Sequence, residues 1–231
     1  MIRRDRRTRY VFRKSSHRGE VIEARGDRAV RILQGVRRRL RPDTRQRANA
    51  EARRAVLAML PTGTAGAEVG VWKGDFSAQL LDRIRPRTLH LIDPWSFQSD
   101  VPDAWYGGSA ATSQRDMDKI YEGVRARFAK EIAGGVVEIH RGPSNTIGSE
   151  LAPGSIDWVY LDGDHRYETV SEELVRYQKI VKPGGIVAGD DYHSGGWWDG
   201  GVKRAVDEWS AAADLDELVI IGTQFVARLR A

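Results

Sequence analysis

The sequence predicts an α/β protein built on one doubly wound, mostly parallel sheet. Three observations carry that expectation. From residue 63 onward, short apolar runs of strand length alternate with stretches of helical period. The first strong run, Ala65–Val71, passes through glycines 70 and 74 directly into an amphipathic helix, Phe76–Ile84. Only the last two runs, Glu217–Ile221 and Thr223–Leu229, lie close enough for an antiparallel hairpin, with Gly222 between them. Strands alternating with helices form a parallel sheet covered on both faces.

The 231 residues divide into three parts by charge and pattern. Residues 1–26 are dense in charge and poor in apolar side chains, and read as a flexible basic arm. Residues 27–62 read as a helical extension. One helix runs from Asp27 as N-cap to Leu40, stopped by Pro42, and a second from Thr44 to Leu60, stopped by Pro61. Both are expected to flank the core and close over its ligand edge. Residues 63–231 form the remaining domain. Across residues 1–54 there are 19 Lys+Arg against 6 Asp+Glu, a net +13, whereas the remaining 18 basic and 26 acidic residues give −8. Such a basic arm on an acidic body fits a solvated face or a subunit contact, with nucleic acid as the alternative partner. Its only aromatics are Tyr10 and Phe12, fewer than a single-strand binder interleaves. No cysteine is present, which excludes disulfides and thiolate metal sites. With no run of 18 apolar residues and no signal-peptide core, the expected location is cytoplasmic.

Within the domain the second strand is Thr88–Asp93, followed by a loop over 94–112 and a helix from Ser113 to Ile132. Val136–His140 and Ile156–Asp162 are the third and fourth strands. The helix Tyr167–Val181 places Val170, Leu174, Tyr177 and Val181 on one face, and Lys182-Pro183-Gly184-Gly185 ends it. Ile186–Gly189 is the fifth strand, and a helix from Val202 to Ala211 precedes the final pair. The total is seven strands, mostly parallel, with an antiparallel C-terminal strand, in a Rossmann-like arrangement. The turn itself reads Glu68-x-Gly70-x-x-x-Gly74, which is not the G-x-G-x-x-G spacing of a dinucleotide site.

Four landmarks in this order resemble the class I S-adenosylmethionine-dependent methyltransferases: Glu68–Gly74, Leu91-Ile92-Asp93, Leu161–His165, and Lys182–Gly185 running into Ala188–Tyr192. The matching stretch runs from about Ala65 to Leu229. Within that superfamily the Asp-Gly-Asp and Asp-Asp-Tyr pieces are similar to metal-dependent small-molecule O-methyltransferases of the macrocin and cephalosporin-hydroxylase-like type, and more distantly to catechol enzymes. The resemblance implies S-adenosylmethionine as cofactor. Its amino-acid end would lie at Glu68 and the Gly70–Gly74 backbone, and its adenine beside Gly142 and Ser144. Asp93 would accept the ribose hydroxyls, or alternatively cap a turn ahead of Pro94. Asp164 would hold a turn.

The fourth and fifth strands are expected to be neighbours, so Asp162, Asp190 and Asp191 converge at the sheet edge where such folds bind ligands. Three close carboxylates repel unless a cation, a proton or an arginine intervenes. An all-oxygen set suits a divalent cation, Mg²⁺ foremost, and leaves positions for two oxygens of a small diol acceptor such as a sugar, natural product or catechol. The cation would lower the hydroxyl pKa and aim the oxygen at the methyl group. His165 is the general base, with Asp162 as the competing candidate; alternatively it caps the next helix or pairs with Asp164. His193 lines the acceptor pocket, and His90 reads as a packing residue. Trp95, Trp105, Tyr106, Trp197 and Trp198 read as pocket walls, Trp95 alternatively packing under the cofactor. Two other functions compete: an RNA methyltransferase using the basic arm, and a non-catalytic Rossmann-like binding protein. The helical extension predicts a homodimer.

Overall fold

The computed structural model describes residues 20–25, 28–33, 42–98 and 111–231. Its strands are β1 (Glu20–Arg25), β2 (Arg28–Leu33), β3 (Ala65–Val69), β4 (Thr88–Asp93), β5 (Val137–Arg141), β6 (Ile156–Leu161), β7 (Val181–Gly189), β8 (Leu215–Ile221) and β9 (Gln224–Leu229). The helices are α1 (Pro42–Met59), α2 (Asp75–Ile84), α3 (Gln114–Arg127), α4 (Ala129–Ala133), α5 (Ser144–Glu150), α6 (Tyr167–Ile180) and α7 (Gly201–Ala212).

These strands form one sheet in the order β1-β2-β8-β9-β7-β6-β3-β4-β5. From β3 the chain winds outward through β4 and β5, then returns to β6 and β7 on the other side. The C-terminal ends of β3 and β6 therefore flank the switch point, where a doubly wound sheet opens a crevice. Strands β3 through β7 pair in parallel, and β9 runs antiparallel to both β7 and β8. All seven strands expected from the sequence are present. Gly222, at φ 63°, and Thr223 close the β8–β9 hairpin, with Ile221 paired to Gln224.

The N-terminal region differs from expectation. Arg28–Leu33, placed in a helix by the sequence reading, is a strand lying parallel to β8, and Glu20–Arg25, placed in a flexible arm, pairs antiparallel with it. The physical reason lies in local pattern. Val21, Ile22, Val30 and Ile32 are β-branched, and Gly26-Asp27 supplies the composition of a two-residue hairpin connection. Asp27 and the rest of that expected helix, like residues 1–19, lie outside the described residues. The sequence also overlooks α5. Lys182–Gly185, read as a break, lies within β7, where four residues bulge between the Ile156–Val181 and Trp158–Ile186 pairs.

Strand alternation builds two cores. Ala65, Ala67 and Val69 of β3 with Val159 and Leu161 of β6 face α5, α6 and α7. Leu89 and Leu91 of β4 with Trp158 and Tyr160 of β6 face α1, α2 and α3. Each fully buried leucine in these layers contributes about 1.5–3 kcal/mol. Gly66 is dictated by packing, since a Cβ there would lie 2.1 Å from the Trp158 ring. On the second face α1 lies against the β8–β9 turn, where a Cβ on Gly222 would sit 3.4 Å from the Ala52 methyl. Val56, Leu57 and Leu60 then enter the core beside α2. The chain's second expected helix thus closes over the strand ends.

Candidate active site

The turn after β3 is shaped by steric necessity. Gly70 has φ 88°, and a Cβ on it would lie 2.0 Å from the Asp162 carbonyl oxygen. Gly74, at φ 77°, is the N-cap of α2, and no side chain caps that helix. Among the described residues the first turn of α2 therefore has no side-chain cap, an arrangement that can bind an anionic group.

Asp93, at the end of β4, is buried and tied to the turn. Its Oδ2 accepts the Val71 and Trp72 N–H groups, each at 2.9 Å, and its Oδ1 accepts the Trp95 N–H at 2.7 Å. Of the two roles the sequence left open, this geometry is that of the turn cap. Glu68 points inward from β3 and accepts the Ser77 hydroxyl at 2.5 Å. Burial pushes its carboxyl up to about 8, against the Ser77 bond. Glu68 thus supports the turn from beneath.

The Gly142 N–H donates to the Asp93 carbonyl at 3.1 Å. Ser144 opens α5 and donates its hydroxyl to Glu173, a fully buried carboxyl on α6. Burial raises Glu173 to about 8. Trp95 is completely buried, its indole N–H bonded to the Trp72 carbonyl at 2.9 Å, so it packs beneath the turn and walls no pocket. Trp105 and Tyr106 lie outside the described residues.

Across the switch point, the strand ends of β6 and β7 gather the three aspartates, and the intervening cation is an arginine. Arg53 of α1 donates to Asp190 from Nε at 3.1 Å and from one terminal nitrogen at 2.8 Å, and the same nitrogen reaches Asp162 at 2.7 Å. Its guanidinium also lies over the Phe76 ring, 5.4 Å from the centroid. The other Asp190 oxygen accepts the Thr223 hydroxyl at 2.6 Å and the Asp191 N–H at 2.7 Å. Burial alone would raise Asp190, but Arg53 and these hydrogen bonds hold it below the usual carboxylate range. Asp162 is pushed well up, by burial first and then by the Asp190 charge. Arg53 itself stays firmly charged: burial opposes its charge, and Asp162 and Asp190 more than offset that.

Asp191 follows a different arrangement. It sits at φ 59°, a strained position for a residue other than glycine. One carboxylate oxygen lies 2.7 Å from His165 Nε2, and the other 3.3 Å from His193 Nε2. His165 Nε2 is 4.0 Å from Asp162. Burial lowers the His165 pKa, opposed by Asp191, which leaves a neutral ring; burial and then Asp190 raise Asp191. The His165 ring packs on Trp198 with centroids 4.7 Å apart, and Trp197, 42% exposed, stands edge-on at 6.2 Å. Asp164 holds its own turn through the Arg166 N–H at 2.9 Å, as expected, and therefore does not pair with His165. Asp162, His165 and Asp191 each offer one donor atom, all mutually within 4.8 Å; Asp190 stands outside that set, both its oxygens already engaged.

Arg53 is the functional residue that the sequence reading passes over. The reading did demand a positive charge among the aspartates, but only the packing of α1 selects Arg53. A signal was present in its position: it directly follows Ala52, on the apolar side of an otherwise charged helix.

Residues 67–192 match the family model described as a methyltransferase domain, more than half of the chain. The protein belongs to this family. Among individual proteins, a 48-residue segment is 40% identical to an uncharacterised protein, R132, of Acanthamoeba polyphaga mimivirus, covering 21% of this chain and 22% of that one. The match thus spans about a fifth of that relative's length, at 22%. The structure is similar to the O-methyltransferase TomG of Streptomyces achromogenes, solved with S-adenosylmethionine, at a TM-score of 0.52 and 17% identity over 83% of this chain and 82% of that one. It is also similar to a protein of Clostridium thermocellum described as a candidate rRNA methylase, at a TM-score of 0.53 and 14% identity over 78% and 95% of the two chains. At such identities the likeness is one of fold.

Proposed function

We propose that the protein is an S-adenosylmethionine-dependent O-methyltransferase that methylates a hydroxyl of a small diol, a sugar, natural product or catechol. The observation that carries this reading is the 2.7 Å contact between His165 Nε2 and Asp191, at the strand ends across the switch point from the glycine turn. With Nε2 held by Asp191, Nδ1 is the ring nitrogen left to take a proton. As the acceptor oxygen attacks the methyl carbon, the oxygen–carbon bond forms and the carbon–sulfur bond breaks. The hydroxyl proton passes to His165, and S-adenosylhomocysteine leaves neutral at sulfur. On this reading the open N-terminus of α2 takes the cofactor's carboxylate. Gly142 and Ser144 lie on its adenine side, and Asp93 holds the turn that shapes its ribose site. Trp197 and Trp198 offer stacking surfaces to a sugar or aromatic ring.

The divalent cation is the competing version of this proposal. With Arg53 in place, the set Asp162–Asp190–Asp191 does not fit an ion, because both oxygens of Asp190 are engaged. Asp162, His165 and Asp191 are the residues that would hold Mg²⁺. When bound, such an ion would supply Lewis-acid activation of the hydroxyl. Arg53 supports the reading in which the chain provides its own counter-cation and His165 provides the base.

A second reading, RNA as acceptor, draws on the +13 charge of residues 1–54. A homodimer and a cytoplasmic location complete the proposal. Among the described residues no helix is long and apolar enough to cross a membrane.

Labelled-methyl transfer from S-adenosylmethionine to catechols, sugars and RNA, with Mg²⁺ or with EDTA, separates these readings. The expected result is transfer to a small diol that survives EDTA and falls by about 10²–10⁴ in His165→Gln, with cofactor affinity unchanged by calorimetry. Undiminished turnover in His165→Gln would remove the base assignment. Loss in EDTA, together with Mn²⁺ uptake that His165→Gln abolishes, would restore the metal.

A further inference from the structure

Away from the strand-end site, β4 and the outermost strand β5 carry a second convergent group. In their parallel register His90 pairs with Glu138 and Ile92 with His140, so His90, Glu138 and His140 share one face of the sheet. It is the face toward α5, since Ile92 belongs to that core. His90 Nδ1 lies 3.0 Å from His140 Nε2 and 3.4 Å from Glu138 Oε2, and His140 Nε2 lies 4.0 Å from the same oxygen.

We propose that His90, Glu138 and His140 form a binding site for a divalent transition-metal ion, zinc foremost. A triangle with those three edges has a point about 2 Å from every corner, the length of a zinc–nitrogen or zinc–oxygen bond. Two imidazoles and one carboxylate form the borderline donor set that selects zinc over magnesium or calcium. Exposure grades outward, from His90 at 12% through His140 at 22% to Glu138 at 53%, so the fourth position faces solvent and would be filled by water. Among the described residues the ion pairs of Glu138 are with these two histidines alone. The ion would tie the edge strand β5 to β4 just before Asp93, which accepts two N–H groups of the glycine turn, and Gly142, whose N–H donates to the Asp93 carbonyl.

The test uses the full chain after chelator treatment, titrated with Zn²⁺ by calorimetry and with Co²⁺ by visible absorption. The wild type is expected to take up a single saturable zinc equivalent. Affinity should fall at least about tenfold in Glu138→Gln and about a hundredfold in His140→Gln. In His165→Gln, which alters the other cluster, it should be retained. Glu138 is half exposed, so its substitution leaves the fold intact and keeps the test decisive even where His140→Gln is unstable. Zinc uptake that is absent from the wild type, or equal in the wild type and Glu138→Gln, overturns the proposal and leaves a hydrogen-bonded histidine pair. Neither outcome bears on His165, so the methyl-transfer reading stands or falls separately.

Discussion

Arg53 binds Asp190 through two guanidinium nitrogens, at 3.1 and 2.8 Å, and so joins a helix of the N-terminal region to the end of a central strand. Asp190 is 7% exposed, and Arg53 is one of the groups keeping it ionised. Arg53→Ala leaves that charge without its counter-ion. Because the guanidinium is about a third exposed, the expected loss is about 2 kcal/mol, below the 3–5 kcal/mol of a fully buried pair. Urea unfolding should show it, and adding Asp190→Asn to Arg53→Ala should recover part of the loss. If the two substitutions simply add, the ion pair contributes no coupling energy.

Asp93 accepts three backbone N–H groups, so its removal acts on the turn before it acts on any ligand. Asp93→Ala is expected to cost about 2–3 kcal/mol of stability through orphaned donors, and to weaken S-adenosylmethionine as the turn loosens. Unfolding and calorimetry on the same variant read both effects. A variant with unchanged stability and reduced affinity would show instead that the carboxylate serves the ribose directly.

Glu173 gives a pH dependence whose sign is fixed by burial. Its folded pKa of about 8 lies above the ordinary 4.5, so the folded state keeps a proton that the unfolded chain releases. The stabilisation is complete below pH 4.5 and drains away as pH rises towards 8. Glu173→Gln keeps an acceptor for Ser144 and removes the titration. The variant should gain on the wild type by roughly 3 kcal/mol between pH 5 and 8, read from urea midpoints at each pH. A constant difference across that range would mean that Glu173 ionises normally.

How much of this was legible beforehand depended on whether the signal was local. The strand–turn–helix at Ala65–Ile84 and the strand-end aspartates were readable because period and punctuation lie within a few residues of one another. Asp164 could be assigned to its own turn for the same reason. Arg53 could not, since the chain offers 37 basic residues and the choice rests on how α1 crosses the β8–β9 turn. Nor could the roles of Asp93 and Glu68 be separated, because whether a strand-end carboxylate faces the ligand or folds back onto the turn is a matter of rotamer. Strand β2 was misread as helix, and β1 as a flexible arm, because an arginine-rich, mixed-period stretch fits several templates, and β8, the partner of β2, begins almost two hundred residues later.

Strand β9 lies inside the sheet, with β8, β2 and β1 outboard of it, although it comes after all of them in chain order. During translation β7 therefore waits with an open edge, and β2 waits for the β8 that β9 holds in place. The pairings of β7 and β8 with β9 need residues up to Leu229, whereas the strands around the glycine turn draw on earlier parts of the chain. Arg53 meets Asp190 beside that hairpin, with Thr223 on the same carboxylate, so the charge balance of the strand-end cluster needs three distant parts of the chain to be in place at once.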